Sequence, residues 1–331
     1  MRRGSFKKEN QSCHFVFIPL AFPLFQYTFI VMKRDVVITG ASGFVGKEIA
    51  RNLLRSNYNI IPACRVKGVP ERIGQWNTAT GEIMLEKPPY AVINLAGRSI
   101  VNKRWTKTEK KRLRESRVPT TIVLVNYLYE HSLVPNVWIG ASGVGLYGDN
   151  GDSLITEESG FSDSFLGELA QDWEKAGKEL LKKSKTRCLT LRFPMILGKQ
   201  GGAWSKLKIP FSLCLGGNIG HGRQWWSWIH IDDVTKIVHF ALENDRIEGP
   251  VNATSPHSVL NKDFTYEVSR SMKRCAFFHV PQFLVKLIFG EMGSELFLAS
   301  QRCQPNVLLK CGFEFKYPEL KDAVDSIVND L

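Results

Sequence analysis

Three glycines spaced three residues apart are the part of this sequence best suited to hold a phosphate group. Gly40, Gly43 and Gly46 directly follow the apolar, β-branched run of residues 35–38, and an amphipathic helical pattern begins after them. The first glycine permits a sharp turn, the second leaves no Cβ between the backbone and a pyrophosphate, and the third lets a helix pack close to a strand. The first turn of that helix adds unpaired N–H groups and a positive dipole. The pattern predicts a strand, a turn and a helix that bind a dinucleotide.

The residue after the second predicted strand indicates which dinucleotide fits. A site for NAD normally places an acidic residue there, where it binds the ribose hydroxyls. Here the chain continues from Ala63 through Cys64 to Arg65, and Lys67 follows. Because a guanidinium matches a 2′-phosphate in charge and shape, Arg65 predicts NADP in preference to NAD. The alternative, that Arg65 is a solvated surface charge, stays open.

Strands and helices alternate along the first two thirds of the chain. The pattern predicts strands at residues 35–38, 60–63, 90–95, 137–140 and 189–193, and helices at residues 44–55, 108–115, 120–130 and 165–183. Such alternation is typical of an α/β fold with a doubly wound parallel sheet of the Rossmann type. A second glycine loop, at residues 140–143, repeats four letters of the first, but its glycine spacing ends at Leu146. We interpret it as a strand-end loop without a nucleotide.

Composition excludes several other classes of protein. The 331 residues are 44% hydrophobic and 23% charged, as in ordinary globular proteins, and the formal net charge of +12 suits an anionic ligand. Seven cysteines without a Cys-x-x-Cys pair indicate reduced thiols and no metal site of the zinc type. The sequence has neither a His-Glu-x-x-His nor a Gly-x-Ser-x-Gly motif, which excludes the hydrolases that those motifs mark.

Eight basic residues lie between Lys103 and Arg117, with Glu109 and Glu115 as the acidic residues among them. Such a cluster could bind nucleic acid, but aromatic side chains for base stacking do not alternate with its basic residues. We interpret it as a solvated helix face near the phosphates of the dinucleotide. The expected partner is therefore a small-molecule substrate and not a nucleic acid, and a homodimer stays open.

The first 32 residues do not follow the pattern of the rest of the chain. A basic stretch, residues 2–8, precedes an apolar stretch, residues 15–31, in which Pro19 and Pro23 weaken a membrane-spanning helix. We interpret residues 1–32 as an extension outside the fold, upstream of a start at Met32, and a targeting segment or weak anchor is the alternative. We expect a cytoplasmic or mitochondrial protein without stable membrane insertion.

Several separate motifs, in order along the chain, resemble those of the extended short-chain dehydrogenase/reductase superfamily. The glycine turn is followed by Asn-Leu-Ala-Gly at residues 94–97 and by Trp-Ile-His-Ile-Asp-Asp at residues 228–233. A narrower group, the SDR39U1 or YfcH-like epimerase family, is similar at residues 98–100, 104–105, 115–117, 173–174 and 216–220. The small C-terminal domain of that family resembles residues 280–281, 289–292, 300–302 and 311–315.

The resemblance implies an NADP-binding Rossmann domain at residues 33–240 and a small α+β substrate domain at residues 241–331, with a family-specific part at 279–324. It also implies that three strand-end loops contact the cofactor. The residues at the matching positions are Gly40, Ser42, Gly43, Phe44, Val45, Gly46, Cys64, Arg65, Leu95, Ala96 and Gly97. Arg117, in the Glu-Ser-Arg motif, and Arg192, at a strand end, are further candidates for contact with cofactor or substrate.

The catalytic residues of the superfamily are only partly present. Its members use a strand-end Ser or Thr with a Tyr-x-x-x-Lys pair, in which the lysine lowers the pKa of the tyrosine that transfers the proton. Ser142 occupies the serine position. Leu166 and Ala170 stand where the pair is expected, and neither can transfer a proton.

Two explanations for this departure stay open. In the first, another group transfers the proton: Tyr147 is the first candidate, followed by Asp149, Glu168 and His230. In the second, the site binds NADP but turns over little. The structural alternatives are that Tyr147 is a packing aromatic with a local hydrogen bond and that His230 caps Asp232 or Asp233.

Three tryptophans, Trp225, Trp226 and Trp228, lie close together before residues 229–233. In sugar-nucleotide members of the superfamily, an arginine at the position of Trp226 holds the substrate diphosphate. A tryptophan there favours a planar or apolar ligand and argues against a nucleotide sugar. The alternative is that at least two of these rings simply pack beneath the loop.

Overall fold

A six-stranded sheet whose strands all run parallel forms the centre of the structure. The computed structural model describes residues 33–63, 76–181 and 184–329, and Lys33–Leu331 forms one compact unit. The strands are β1 (Arg34–Thr39), β2 (Tyr58–Ala63), β3 (Ala91–Asn94), β4 (Val137–Gly143), β5 (Leu154–Ile155), β6 (Arg187–Phe193), β7 (Met195–Gly198), β8 (Gly201–Gly202), β9 (Gly217–Ile219), β10 (Trp225–Trp226), β11 (Trp228–His230), β12 (Gly249–Asn252), β13 (Val259–Leu260), β14 (Phe278–Val280) and β15 (Arg302–Cys303). The helices are α1 (Phe44–Leu54), α2 (Lys107–Glu115), α3 (Val118–Glu130), α4 (Phe165–Leu181), α5 (Trp204–Ser212), α6 (Ile231–Glu243), α7 (Asn261–Met272), α8 (Gln282–Phe289), α9 (Glu291–Gly293), α10 (Asn306–Lys310) and α11 (Leu320–Asn329).

The order of strands in the central sheet creates a crevice beside β1. The order is β2-β1-β3-β4-β6-β12, and every neighbouring pair is parallel. From β1 the chain moves to one side to form β2 and then returns to the other side to form β3, so the loops after β1 and β3 diverge. Ligands of open α/β sheets bind at this reversal, beyond the carboxyl ends of the strands. The prediction of a doubly wound Rossmann-type sheet is confirmed.

Alternate residues of each strand build hydrophobic cores on both faces of the central sheet. Val36 and Ile38 of β1 pack in one cluster with Ile49 of α1, whereas Val37 packs in another with Leu124 of α3. Burying an aliphatic side chain of this size contributes about 1.5–3 kcal/mol. The two layers of helices therefore hold the sheet rigidly, and the strand-end loops that form the crevice emerge from a fixed frame.

Smaller sheets lie in the second half of the chain. β7 pairs with β11 and β8, β9 with β14, β10 with β13, and β5 with β15. A hydrophobic cluster joins this part, with members Leu197, Trp204, Trp228, Phe264 and Val324. β12, which follows the predicted boundary between residues 240 and 241, joins the central sheet. β7 to β11, which precede this boundary, belong to the small sheets.

No helix within residues 33–63, 76–181 and 184–329 is long and apolar enough to cross a bilayer. The cysteines that the structure describes carry free thiols: Cys188, Cys214, Cys275, Cys303 and Cys311. The predictions for residues 1–32 lie outside the described residues.

Candidate functional site

The turn between β1 and α1 requires glycine at two of its three glycine positions. Gly40 has a φ of 69°, in the left-handed region, and a Cβ there would lie 2.8 Å from the carbonyl oxygen of Leu95. A Cβ on Gly46 would lie 2.4 Å from the carbonyl oxygen of Gly40. A Cβ on Gly43 would lie 3.2 Å from the carbonyl oxygen of Gly40, which is a tight contact that still leaves room for a side chain. The close approach of α1 to the end of β1 therefore depends on Gly40 and Gly46.

The N-terminus of α1 is open to an anion. Gly43 is the N-cap residue and has no side chain to accept a hydrogen bond from the helix. The amides of Phe44, Val45 and Gly46 thus have no acceptor within α1, and the first turn carries no acidic residue. Ser42 and Gly43 are exposed on the turn. Free amides, a positive helix end and an uncrowded backbone fit the pyrophosphate of a dinucleotide.

The loop after β3 is fixed beside the glycine turn by the side chain of Thr39. Its buried hydroxyl accepts hydrogen bonds from the N–H groups of Leu95 at 3.1 Å and Ala96 at 3.2 Å. It donates to Oδ1 of Asn94 at 2.7 Å. These bonds hold Leu95, Ala96 and the exposed Gly97 at the carboxyl ends of β1 and β3, where the family resemblance implies a contact with the cofactor.

Arg117 covers the same loop with a buried cation. Its guanidinium lies against Gly97, where a Cβ would come within 3.0 Å of the guanidinium carbon, and it stacks over Trp173 at 5.1 Å. It donates hydrogen bonds to two backbone carbonyls and to the Ser116 hydroxyl. No carboxylate in the described part of the chain pairs with it, and burial lowers the pKa of Arg117 to about 10. A buried guanidinium without a counter-ion suits an anionic group of a ligand.

Ser142 offers a buried hydroxyl at the carboxyl end of a central strand. The structure extends β4 to Gly143, so Ser142 lies in the strand and not in the loop predicted from residue 140 onward. Its Oγ is buried without a hydrogen-bond partner among the described residues. Leaving a buried hydroxyl unpaired costs about 1–3 kcal/mol. A ligand group in the crevice would remove that cost by completing the hydrogen bond.

The hydroxyl of Tyr147 is engaged within the protein. It donates to Oδ1 of Asn252 at 2.8 Å and accepts from Nη1 of Arg192 at 2.7 Å. The ring is buried in a cluster with Leu146 and Ile155. Burial raises the pKa of the Tyr147 phenol well above its ordinary value, although the charge of Arg192 acts in the opposite direction. This geometry favours the packing alternative, and proton transfer by Tyr147 stays a prediction.

Arg192 is held by protein groups at the end of β6. Its Nε and Nη2 each donate to one carboxylate oxygen of Glu174 at 2.9 Å, and Nη1 also donates to the carbonyl oxygen of Glu157 at 3.1 Å. Burial disfavours the charge, but the bonds to Glu174 outweigh it, so the pKa of Arg192 is raised above its ordinary value. The guanidinium thereby ties β6 to α4. Contact of Arg192 with cofactor or substrate stays a prediction.

Hydrocarbon side chains occupy the places of the usual Tyr-Lys pair on α4. Leu166 is buried against Gly145 and packs in a cluster with Trp105. Ala170 is buried in the cluster that contains Tyr147. The chain therefore supplies neither a phenol nor an amine at these two positions.

A carboxylate from the far end of the chain caps α4. Glu295, in a π-helical turn at Ser294–Leu298, accepts hydrogen bonds from the N–H groups of Phe165 at 3.2 Å and Leu166 at 2.9 Å. Burial raises the pKa of the Glu295 carboxyl, even though these two amides stabilise the ionised form. The cap fixes the start of the helix that carries positions 166 and 170.

The remaining proton-transfer candidates have other surroundings. Asp149 accepts hydrogen bonds from the N–H groups of Gly151 and Ser300, at 3.2 Å and 3.1 Å, and so shapes its own loop. Glu168 is exposed in an open groove that Lys110 and Arg114 of α2 also line. Cys64 and Arg65 lie outside the described residues, so their predicted contacts with the cofactor stay a prediction.

His230 caps α6, as the structural alternative proposed. Its Nδ1 accepts a hydrogen bond from the N–H of Asp232 at 3.2 Å, and its ring packs on Tyr317 at 4.2 Å between centroids. Burial lowers the pKa of His230 from its ordinary value of 6.5 to about 4, so the ring is neutral at physiological pH. The capping interpretation is confirmed.

Stability is expected to fall as the pH is lowered from about 6.5 to about 4, because the unfolded chain binds a proton at residue 230 that the folded protein excludes. The loss in the free energy of unfolding approaches about 3 kcal/mol at the lower end. His230→Asn keeps a capping side chain but removes the titration. Urea unfolding of both proteins across this range should therefore give a flatter profile for the variant, and parallel profiles would contradict the assignment.

The three tryptophans pack within the protein. Trp228 is fully buried and donates to the carbonyl oxygen of His257 at 2.9 Å, and Trp226 donates to that of Phe297 at 3.2 Å. The indole of Trp225 donates to the Asp152 carboxylate at 2.9 Å. The alternative that at least two of these rings pack beneath the loop is confirmed.

Known proteins are similar in sequence to this chain over nearly its whole length. "Epimerase family protein SDR39U1" from Mus musculus is 34% identical over 299 residues, which are 88% of this chain and 99% of the mouse protein. "Epimerase family protein YfhF" from Bacillus subtilis (strain 168) is 33% identical over 302 residues, 89% of this chain and 98% of the bacterial protein. The chain belongs to the SDR39U1 epimerase family.

Two sequence profiles and one crystal structure agree with the SDR39U1 family. The profile of the NAD dependent epimerase/dehydratase family matches residues 36–165, and a domain of unknown function (DUF1731) matches residues 280–327. The crystal structure of human SDR39U1 (isoform 2) with NADPH superimposes with a TM-score of 0.83 at 30% identity, covering 90% of this chain and all of the human one. The resemblance stated from the motifs is confirmed.

Some residues that shape the site were not predicted. The amide of Asn94 donates to the Thr121 hydroxyl at 2.9 Å, which also accepts from the indole of Trp173 at 3.1 Å, and so α3 and α4 are tied to β3. Glu174 binds Arg192. Trp173 and Glu174 were already marked as an SDR39U1 motif, which was a usable signal, whereas nothing near Glu295 indicated a cap on α4.

Proposed function

We propose that the protein is an NADP-dependent oxidoreductase or epimerase-like enzyme that acts on a small molecule. The observation that carries the proposal is the glycine turn, in which Gly40 and Gly46 hold the unpaired amides of α1 at the end of β1. The crystal structure of human SDR39U1 with NADPH supports the same cofactor here. The free thiols and the absence of a membrane-spanning helix in the described ranges are compatible with a cytoplasmic or mitochondrial enzyme.

Two parts of the crevice would hold the cofactor: the amides of residues 44–46 would bind the pyrophosphate, and residues 95–97 would line the adjoining wall. Arg65, which lies outside the described residues, is proposed from the sequence to bind the 2′-phosphate. The bound cofactor supplies or takes up a hydride. The buried cation of Arg117, which lacks a carboxylate partner within the described ranges, would bind an anionic group of cofactor or substrate.

Ser142 is our first candidate for a catalytic residue. Its hydroxyl lies at the carboxyl end of β4 without a partner among the described residues and is free to donate a hydrogen bond to an oxygen of the substrate. Such a bond stabilises charge that develops on that oxygen when a hydride is added or removed. From this position the Ser142 hydroxyl would also orient the substrate, and it would keep its own proton while doing so.

A non-catalytic NADP-binding protein is the second candidate function. Leu166 and Ala170 are packed into hydrophobic clusters, and the Tyr147 hydroxyl is engaged by Asn252 and Arg192. A protein of this kind binds NADPH without turnover of any ligand. A screen of small carbonyl compounds and alcohols with the loaded protein, read by nicotinamide absorbance, separates the two functions.

The protein is expected to bind NADPH at least about tenfold more tightly than NADH, because the Arg65 guanidinium pairs with the 2′-phosphate. Arg65→Asp should remove this preference, since the new carboxylate repels the phosphate and accepts hydrogen bonds from a free ribose. Calorimetric titration of both proteins with both cofactors measures the ratio. Arg55→Asp, an exposed arginine at the end of α1, is the control and should keep it. Equal affinity of the unmodified protein for NADH and NADPH would refute the role of Arg65.

Ser142→Ala is expected to lower turnover about 100-fold on any substrate found, with little change in NADPH affinity. Tyr147→Phe in the same assay tests the other candidate. A phenol that transfers the proton predicts a loss of about 100-fold or more, whereas a packing aromatic predicts a loss below about twofold. The hydrogen bonds of Tyr147 to Asn252 and Arg192 favour the second result. Unchanged turnover in Ser142→Ala would remove Ser142 from the mechanism.

A further inference from the structure

Five large apolar side chains form an exposed surface, which we call the apolar patch. They are between 52% and 88% exposed: Ile209, Leu213, Leu215, Phe277 and Phe278. Single exposed apolar residues are common on proteins and need no explanation. Several exposed apolar side chains close together instead mark a site of contact with another protein or with a membrane.

Strand pairing brings the members of the apolar patch together. β9 and β14 run parallel, with Phe278 opposite Gly217. Leu215 lies two residues before Gly217, and Phe277 directly precedes Phe278, so the apolar side chains stand where both segments enter the sheet. The N–H of Leu213 donates to the carbonyl oxygen of Ile209 at 3.2 Å, which extends the patch onto the end of α5. The backbones of the two segments that carry the patch therefore lie side by side.

The segments that carry the apolar patch are basic and lack acidic residues. Neither residues 201–231 nor residues 268–290 contain Asp or Glu. Four exposed cations flank the patch, two on α5 and two after α7: Lys206, Lys208, Lys273 and Arg274. None of the four forms an ion pair within the described ranges. α8 follows β14 directly, and its surface is also apolar and basic, with exposed Phe283, Lys286 and Leu287.

We propose that the apolar patch binds the surface of a membrane that contains anionic lipids. Phenylalanine and leucine side chains enter the boundary between headgroups and acyl chains, and the flanking lysine and arginine side chains contact lipid phosphates. This contact is peripheral, so it requires no helix that crosses the bilayer. It would present an enzyme of this family at the membrane with its central sheet outside the lipid.

A second copy of the chain fits the apolar patch less well than an anionic membrane does. A two-fold contact through the patch places the cations of one copy near the same cations of the other. Like charges that face each other weaken an interface. An anionic membrane instead gives Lys206, Lys208, Lys273 and Arg274 the partners that they lack in the described structure.

Flotation of the full chain with lipid vesicles tests the proposal. Vesicles of equal parts phosphatidylcholine and phosphatidylserine are expected to bind at least about tenfold more protein than vesicles of phosphatidylcholine alone. The double variant Leu213→Ser with Phe277→Ser should lower binding at least about tenfold, since two side chains no longer enter the acyl boundary. The double variant Lys273→Glu with Arg274→Glu should lower it similarly and weaken its dependence on salt, with Lys206 and Lys208 retaining part of that dependence.

A matched control keeps the test specific to the apolar patch. Leu54→Ser with Tyr129→Ser removes apolar side chains that are 54% and 49% exposed on α1 and α3, and binding should not change. Thermal unfolding of all variants checks that they fold. Binding that survives the patch variants would place the contact elsewhere in the chain, including residues 1–32, and overturn the proposal. Absence of lipid binding together with a dimer that dissociates in the patch variants would assign the surface to a second copy and also overturn it.

Discussion

Replacing Gly46 with alanine is expected to weaken the binding of NADPH severely. The new Cβ would lie 2.4 Å from the carbonyl oxygen of Gly40 and 2.8 Å from Cα of Ala41, both of which are backbone atoms of the turn. Because neither atom can move without opening the turn, α1 shifts away from β1 and its first amides leave the phosphate position. We expect affinity to fall about 100-fold or more, and the free energy of unfolding to fall by about 1–3 kcal/mol. Calorimetric titration and urea unfolding measure the two effects.

Two other glycine variants distinguish this result from a general effect of added methyl groups. Gly160→Ala places its Cβ with no atom within 4 Å and should match the unmodified protein in both measurements. Gly43→Ala meets only the carbonyl oxygen of Gly40, at 3.2 Å, and should show an intermediate loss. If Gly46→Ala bound NADPH as tightly as the unmodified protein, the glycine turn could not be the cofactor site.

Most of the central sheet was predictable because its signals are local. β1, β4 and β6 coincide with short apolar, β-branched runs, and α1, α3 and α4 begin within two residues of their predicted starts. Period and turn chemistry are properties of neighbouring residues, so they can be read without knowledge of the fold. The cap by His230 was also predictable, because its partner Asp232 is two residues away.

The small sheets were not predictable, because their strands carry no such local signal. β5, β8, β10, β13 and β15 are each two residues long, which is too short for any periodicity. Their pairing depends on which segments the rest of the fold brings together. β5, for example, pairs with β15, which lies near the C-terminus.

The candidate site was also predictable only where its signals are local. Motifs indicated the glycine turn, residues 95–97 and Ser142 as candidates, because each lies at or just after the end of a recognisable strand run. The partners that decide what each side chain can do come from elsewhere: Glu295 caps α4 from 130 positions away, and Asn252 accepts the hydrogen bond of Tyr147 from 105 positions away. A spacing rule cannot reveal that a hydroxyl or guanidinium is already engaged.

Replacing Glu174 with alanine is expected to lower the free energy of unfolding by about 3–5 kcal/mol. The side chain of Arg192 is only 3% exposed, and Glu174 supplies both oxygens that bind its Nε and Nη2. Without them a buried guanidinium keeps its charge but loses its counter-ion, since the Tyr147 hydroxyl and the Glu157 carbonyl are neutral. Urea unfolding of Glu174→Ala and of the unmodified protein measures the difference.

The control is another ion pair between a glutamate and an arginine, one that is exposed to solvent. Glu48→Ala breaks the exposed pair with Arg51 on α1 and should cost less than about 0.5 kcal/mol. Repeating the Glu174→Ala measurement with saturating NADPH then tests the prediction that Arg192 contacts the cofactor. If a ligand phosphate reaches the freed guanidinium, NADPH should stabilise Glu174→Ala more than it stabilises the unmodified protein. Equal stabilisation would confine Arg192 to tying β6 to α4, and a cost below about 1 kcal/mol without ligand would contradict the buried pair itself.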